Sequence, residues 1–367
     1  MSPRTKKKSV ESENVTLAGI FNHLEKTKES HYSFNDPIDY YVSSGSLNLD
    51  LAMGGGMCPG ITTFTGVAGG GKTSCALSFA ANFQKQVENS CVVYIKAEGR
   101  LSKRILRTSG IDESPNKWIL YSGNIFEEIG ALVKQCVDNN PDNMRFMFII
   151  DSMDALILKD DVDKGLGDAV KVAGNALLTS HFCKRMALRM GHNGHVMICV
   201  CQVRSKVSVN PYAKEDPKLS SNSGGNAIQH YANWMLEFQP NHYKNSKFLK
   251  KGSDDAVGHV CKVACRKSMT ENVGKNVEYP IRYGVEKGGV WVEREIISQL
   301  AAWEMLSKAG AWISLDKSLL DELGSQGYTV EEKFQGEESL LKFLEENPKV
   351  VDYLFDKFKT NLQNLYK

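Results

Sequence analysis

The stretch that most limits what this chain can fold into runs from Ile61 to Gln86. Ile61 to Thr65 is β-rich, Gly66-Val-Ala-Gly-Gly-Gly71 is a glycine turn, and Ser74 to Gln86 is rich in Ala, Leu and Phe, as a helix requires. From Gly66 the turn fits G-x-x-x-x-G-K-[ST], closed by Gly71, Lys72 and Thr73. A strand, a glycine turn and a helix N-terminus in that order make a phosphate cradle. Backbone N–H groups point at the phosphates, and the helix dipole adds partial positive charge at the same place. Gly66, Val67, Ala68, Gly69, Gly70, Gly71 and Ser74 are therefore expected to wrap the phosphates. Lys72 would reach the β- and γ-phosphates, and the Thr73 hydroxyl would ligate Mg²⁺. By itself such a cradle serves a kinase, a GTPase or a transporter subunit equally well.

The rest of the chain narrows this. Cys91 to Lys96 reads as a strand, Arg100 to Ser109 as a helix ended by Gly110, and Ile125 to Asn139 as a helix stopped by Asn140-Pro141. Phe146 to Ile150 is a continuous apolar run ending in Asp151, the pattern of a buried parallel strand. Val170 to Met190 is a long helix, and His195 to Cys201 another apolar strand. Strands separated by helices of this length imply right-handed crossovers and an α/β fold with a mainly parallel sheet. Ligands of such sheets bind at the carboxyl ends of the strands, where the glycine turn, Glu98, Asp151 and Gln202 all fall. Asp151 would hold Mg²⁺ together with Thr73, as the second acidic element of a P-loop ATPase. Glu98 is the candidate general base for a water facing the γ-phosphate. Gln202 can sense that phosphate through its amide and pass its presence to the loop beyond.

That loop, Val203 to Gly225, is long for a compact domain, and long loops are usually functional. It carries Arg204, Lys206, Lys214 and Lys218 against Glu215 and Asp216, and closes with Ser223-Gly-Gly-Asn226. Its local basic character fits phosphate contacts from Arg204, Lys206, Lys214, Gly224, Gly225 and Asn226. Bulk electrostatics add nothing, because the 367 residues carry a net charge of only +2. From Trp234 to Trp291 the texture changes to successive strands (Met235 to Phe238, His259 to Arg266, Val277 to Tyr283), an expected antiparallel extension. Ile296 to Ala309, Glu338 to Glu346 and Val350 to Leu365 read as helices.

Upstream, residues 1–14 form a polar, basic tail, either solvated or in contact with nucleic acid. Val15 to Glu29 has one apolar helical face, which packs on its own domain or on a neighbouring subunit. Ile38 to Ser43 reads as a strand, and Gly45 to Met53 as a turn and short helix. The expected organisation is thus a tail (1–14), an N-terminal oligomerisation arm of helix and strand (15–44), an ATPase core (45–293) and a small α-rich C-terminal domain (294–367). Nine cysteines with no C-x-x-C pair, in apolar settings, point to reduced thiols in a reducing compartment. No apolar run approaches a membrane span, so no membrane partner is expected.

Taken in register, Ser43-Ser-Gly-Ser-Leu-Asn-Leu-Asp50, the glycine turn, Lys96-Ala-Glu98, Ile149-Ile-Asp151-Ser152, Gln202 and Ser223-Gly-Gly-Asn-Ala227 resemble the bacterial RecA recombinases. Lys308-Ala-Gly-Ala-Trp312 and Phe343-Leu-Glu-Glu-Asn-Pro348 extend the resemblance into the C-terminal region. It implies a DNA-dependent ATPase that uses ATP and Mg²⁺, with Lys72, Glu98 and Gln202 as catalytic residues. It further implies a helical homo-oligomeric filament on single-stranded DNA, ATP at the protomer interface, and pairing and strand exchange with duplex DNA. The loop after Gln202 matches the family's second DNA-binding loop, and the stretch around Gly165 and Gly167 matches the first. Lys267 matches one of two lysines that reach a neighbour's ATP, while Cys265 stands in place of the other. Ile105 stands where the family stacks a tyrosine on adenine. The end at Lys367 carries no acidic tail, so autoinhibition by one is not expected. The cytoplasm of a bacterial or phage-infected cell is the expected location. Two other readings share these features: a RecA-like ATP-binding accessory or regulatory protein without strand exchange, and a hexameric helicase.

Overall fold

Apolar runs of five to seven residues, too short for helices, become the centre of one sheet. The computed structural model describes residues 40–99, 101–163, 174–204, 221–222, 225–239, 246–250, 252–270, 272–286 and 289–364. The first strands are β1 (Gly60–Gly66), β2 (Ser90–Lys96), β3 (Trp118–Ser122), β4 (Arg145–Asp151) and β5 (Val196–Val200). They alternate with helices α1 (Leu47–Ala52), α2 (Lys72–Gln86), α3 (Lys103–Ser109), α4 (Phe126–Asp138) and α5 (Gly174–His192). Two-residue strands β6 (Val203–Arg204) and β7 (Ser221–Asn222) and helix α6 (Gly225–Tyr231) follow, then β8 (Trp234–Phe238), β9 (Lys247–Leu249), β10 (Ala256–Lys267) and β11 (Asn276–Arg282). The main sheet has the order β11-β10-β8-β1-β5-β4-β2-β3, with β9 paired on β10.

Period-two alternation divides the strand side chains between two layers. Phe64, Val92, Tyr94, Met147, Ile149 and Ile198 face Ala76, Phe79, Ala80 and Phe83 of α2 in one buried cluster. Their neighbours Ile61, Val93, Ile95, Phe148, Ile150 and Met197 face Ile129 and Val133 of α4 and Met186 and Met190 of α5 in the other. The expected α/β fold with a mainly parallel sheet is therefore present.

Two local readings are corrected. The antiparallel extension does not begin at Trp234: β8 runs parallel to β1, from Thr62 opposite Trp234 to Gly66 opposite Phe238. Among the described strands of this sheet, the antiparallel pairings are those of β10 with β8, β9 and β11. Alternating burial along β8 looks the same in either pairing, so sequence periodicity cannot distinguish them. Of the expected strand at Ile38 to Ser43, the described part holds a single bridge, Val42 with Met57.

Beyond β11 come α7 (Val292–Ala302), β12 (Leu306–Ala309), β13 (Trp312–Leu315), α8 (Lys317–Ser325), β14 (Lys333–Gln335), α9 (Gly336–Glu346) and α10 (Pro348–Asn364). The helix expected to continue to Ala309 stops at Ala302. Glu304 takes φ +57°, which turns the chain into a small antiparallel sheet ordered β12-β13-β14. Leu47 of α1 joins Trp291, Ile296, Leu300 and the helices after it in a third buried cluster.

A polar network fastens α1 beneath that cluster. Ser46 caps α1 by accepting from Leu49 N, and its hydroxyl donates to Glu295 Oε1 at 2.6 Å. Leu47 N donates to Glu295 Oε2 at 2.9 Å. Asp50 accepts from Ser44 N at 2.6 Å and from the hydroxyls of Ser43 and Ser44. Burial pushes the Asp50 carboxyl up to about 6 and the Glu295 carboxyl up to about 8, each partly offset by these donors.

Eight of the nine cysteines are buried, and Cys136 is half-buried. Among the described residues no helix is long and apolar enough to cross a membrane. The tail, the Val15 to Glu29 helix and the first residues of the expected Val170 to Met190 helix lie outside the described residues.

Candidate nucleotide site

The glycine turn takes its shape from β8. Gly66 has φ +136°, and a Cβ there would lie 2.2 Å from the carbonyl oxygen of Phe238. Only glycine lets the turn leave β1 so close to the neighbouring backbone. Gly71 caps α2 in the left-handed region with no side-chain hydrogen bond to the first turn. The leading N–H groups of α2 thus keep no side-chain partner at the cap, as an anion site needs. Lys72 is buried and donates to the carbonyl oxygens of Gly66 and Val67 at 2.8 and 2.7 Å. Burial lowers its pKa, while the charges of Asp151, Asp154 and Glu98 oppose that.

Three strand ends converge beside the turn. Because β4 lies between β2 and β5, Asp151 stands opposite Lys96 on one side and Val200 on the other. Its Oδ2 accepts from the Thr73 hydroxyl at 2.7 Å and from the Tyr94 hydroxyl at 2.6 Å. The peptide after it, Asp151–Ser152, is cis. Glu98 and Gln202, from β2 and β5, meet across Asp151, with Gln202 Nε2 donating to Glu98 Oε1 at 2.8 Å. The main-chain N–H of Gln202 donates to Asp154 Oδ2 at 2.6 Å.

A cavity of about 630 Å³ opens over the turn, large enough for a nucleotide. Gly69, Gly71, Lys72, Thr73 and Ser74 form its floor, and Ile105 and Thr108 of α3 one wall. Tyr283 and His259 form the opposite wall, their rings 5.4 Å apart. Gly69 has open space where a Cβ would stand, on the loop's free side. A hydroxyl and a carboxylate oxygen in contact at a helix N-terminus are hard ligands, so Thr73 and Asp151 fit Mg²⁺ beside phosphate.

Lys267 is placed elsewhere. It closes β10 and donates to the carbonyl oxygens of Gln229 and His230, both at 2.8 Å, at the end of α6. It does not line the cavity, and Cys265 is fully buried. Of the expected DNA contacts, Gly165, Gly167, Lys206, Lys214 and Gly224 lie outside the described residues. Arg204 is placed by its backbone in β6, paired with Ser221 of β7; Gly225 and Asn226 open α6. The loop is therefore closed at its root by a two-residue antiparallel ladder directly after Gln202.

The sequence reading missed Tyr94, Asp154, His259 and Tyr283. Tyr94 sits inside an uninterrupted apolar strand, and Asp154 only three residues after a stronger candidate. The wall at His259 and Tyr283 comes from the antiparallel part of the sheet, which is remote in sequence from the turn.

The sequence model of the RecA N-terminal domain matches residues 30–288. The chain belongs to the RecA family. It is 28% identical over 323 residues to "Protein RecA" of Rippkaea orientalis, covering 88% of this chain and 83% of that one. It is also 28% identical over 333 residues to "Protein RecA" of Campylobacter fetus subsp. fetus, with 89% and 85% covered. For "Protein RecA" of Synechocystis sp. the identity is 28% over 311 residues, with 84% and 78% covered. Residues 30–288, the span of the family model, contain β1, the glycine turn and the strand ends described above.

Proposed function

We propose that this chain is a DNA-dependent ATPase that assembles as a helical homo-oligomer on single-stranded DNA and catalyses homologous pairing and strand exchange. The observation that carries the reading is the Glu98–Gln202 contact of 2.8 Å over Asp151, immediately before the ladder that closes the basic loop. Thr73 and Asp151 would hold Mg²⁺, which would supply positive charge against the phosphates when ATP is bound. Lys72 exchanges the carbonyls of Gly66 and Val67 for the β- and γ-phosphates. Glu98 accepts the proton of the attacking water, and Gln202, released from Glu98, donates its amide to the γ-phosphate. Loss of that phosphate returns Gln202 to Glu98 and alters the loop's hold on DNA.

The test is ATP hydrolysis with and without single-stranded DNA over a salt titration. Stimulation that falls steeply with salt, and its loss in Lys72→Ala, supports the reading. Absence of stimulation, together with DNA pairing that survives Lys72→Ala, refutes it. A second reading, an ATP-binding accessory protein without strand exchange, is favoured by Lys267, which is spent on carbonyls of its own chain. Electron microscopy with single-stranded DNA and a slowly hydrolysed ATP analogue separates the two: continuous helical filaments support the first reading, and rings or monomers the second.

A further inference from the structure

Past the end of β5 the main chain loses the support of the sheet. Cys201 N still donates to Phe64 O of β1 at 2.8 Å, and the next N–H, that of Gln202, has no strand to bond. It goes to the carboxylate of Asp154 instead. After Gln202 the chain enters the ladder of β6 and β7 and the basic loop. Asp154 is thus the last fixed hold on the backbone before that loop.

The residue is itself firmly seated. It occupies the turn Met153–Ala155 that follows β4, and that turn is tied to the start of α4. Asn124 Nδ2 donates to Ala155 O at 3.3 Å, Ile157 N to Asn124 O at 2.8 Å, and Phe126 N to Ile157 O at 2.9 Å. Only one of the Asp154 oxygens is used. Oδ1 is buried with no hydrogen-bond partner among the described residues, which costs stability that a smaller apolar side chain would not lose. Packing therefore gives no reason for a carboxylate here, whereas the Gln202 N–H does. The contact is also charge-assisted, stronger than a bond to a neutral acceptor.

We propose that Asp154 is a positioning residue that pins the Gln202 main chain, so that nucleotide state reaches the DNA-binding loop through that residue. With the backbone held, the Gln202 amide can change partners between Glu98 and phosphate only by side-chain rotation, and the ladder after it follows. Without the pin, the strand end absorbs the movement and the loop is uncoupled from the nucleotide. This rests on the function proposed above, but the pin itself is a property of the nucleotide-free protein.

The experiment compares wild type, Asp154→Ala and Asp154→Asn, since Asn keeps the acceptor and loses the charge. Single-stranded DNA affinity is measured by fluorescence anisotropy with and without a slowly hydrolysed ATP analogue, and the ratio of the two affinities is the coupling. Asp154→Ala should reduce that ratio about tenfold, the factor that matches loss of a charge-assisted hydrogen bond, while Asp154→Asn stays within about threefold of wild type. A wild-type ratio in Asp154→Ala overturns the proposal. If wild type shows no nucleotide dependence at all, the DNA reading itself fails and amide hydrogen exchange decides the pin. Exchange at Gln202 should then be about tenfold faster in Asp154→Ala than in wild type or Asp154→Asn; equal exchange in all three overturns it.

Discussion

Replacing Glu295 by Gln should change the stability of this protein with a sign that depends on pH. Glu295 is 1% exposed, and burial raises its carboxyl from 4.5 to about 8. Between those values the folded protein holds a proton that the unfolded chain has released, so stability falls as pH rises through this window. At about 1.36 kcal/mol for each pH step, the full cost above pH 8 has a ceiling of about 5 kcal/mol. Gln carries no such cost, but its NH₂ brings two protons to the Leu47 N–H and the Ser46 hydroxyl, where the protonated carboxyl brings one that the Ser46 oxygen can accept. Leaving one buried donor without an acceptor costs about 1–3 kcal/mol at every pH. The variant should therefore be less stable than wild type by about 1–3 kcal/mol near pH 4.5, and more stable by about 2–4 kcal/mol above pH 8. The two curves should cross roughly between pH 5 and 7. Asp50, also raised by burial, titrates in both proteins and largely cancels from the difference. Urea denaturation of both proteins at several pH values from 5 to 8.5 measures it. A difference that stays constant across that range refutes the reasoning.

Gly66→Ala drives a Cβ into the Phe238 carbonyl and should cost about 3 kcal/mol or more in denaturant stability. Gly69→Ala meets nothing within 4 Å but holds φ +75°, so it should cost only about 1 kcal/mol while weakening nucleotide binding in calorimetry. Glu98→Gln keeps an acceptor for Gln202 and loses the base; single-turnover hydrolysis should fall about 10²–10⁴-fold with ATP affinity within about threefold of wild type. Lys267→Ala removes a cation from the end of α6 and should lower thermal stability by about 1 kcal/mol even at concentrations where the protein is monomeric. A loss seen only in the assembled protein would place that lysine at a protomer boundary instead.

Legibility followed the range of the interactions. The glycine turn, α2 and the strands ending at Lys96, Asp151 and Val200 were readable, because local punctuation and uninterrupted apolar runs state both type and limit. Glu98, Asp151 and Gln202 could be found because a parallel sheet delivers its strand ends to one edge. The strand Trp118–Ser122 was not read, since its edge position leaves Ile119 and Leu120 exposed and erases any burial pattern. The residues Leu306–Ala309 favour a helix by composition, and pairing with β13 overrides that preference. Asp154 carried no signal of its own, because its partner is a main-chain N–H just past the end of another strand. The parallel course of β8 was equally hidden, for direction is a property of the pair rather than of either strand.

That parallel pair has a consequence for the order of events during synthesis. Gly66 is opposite Phe238, so the turn and the strand that shapes it are 172 positions apart (238 − 66 = 172). At ribosomal speeds of about 5–20 residues per second, the second follows the first by roughly 10–35 s. A nascent chain that already contains the whole glycine turn and Asp151 still lacks the backbone against which Gly66 closes. The turn can therefore take the shape seen here, closed against β8, only after nearly two-thirds of the protein has been synthesised.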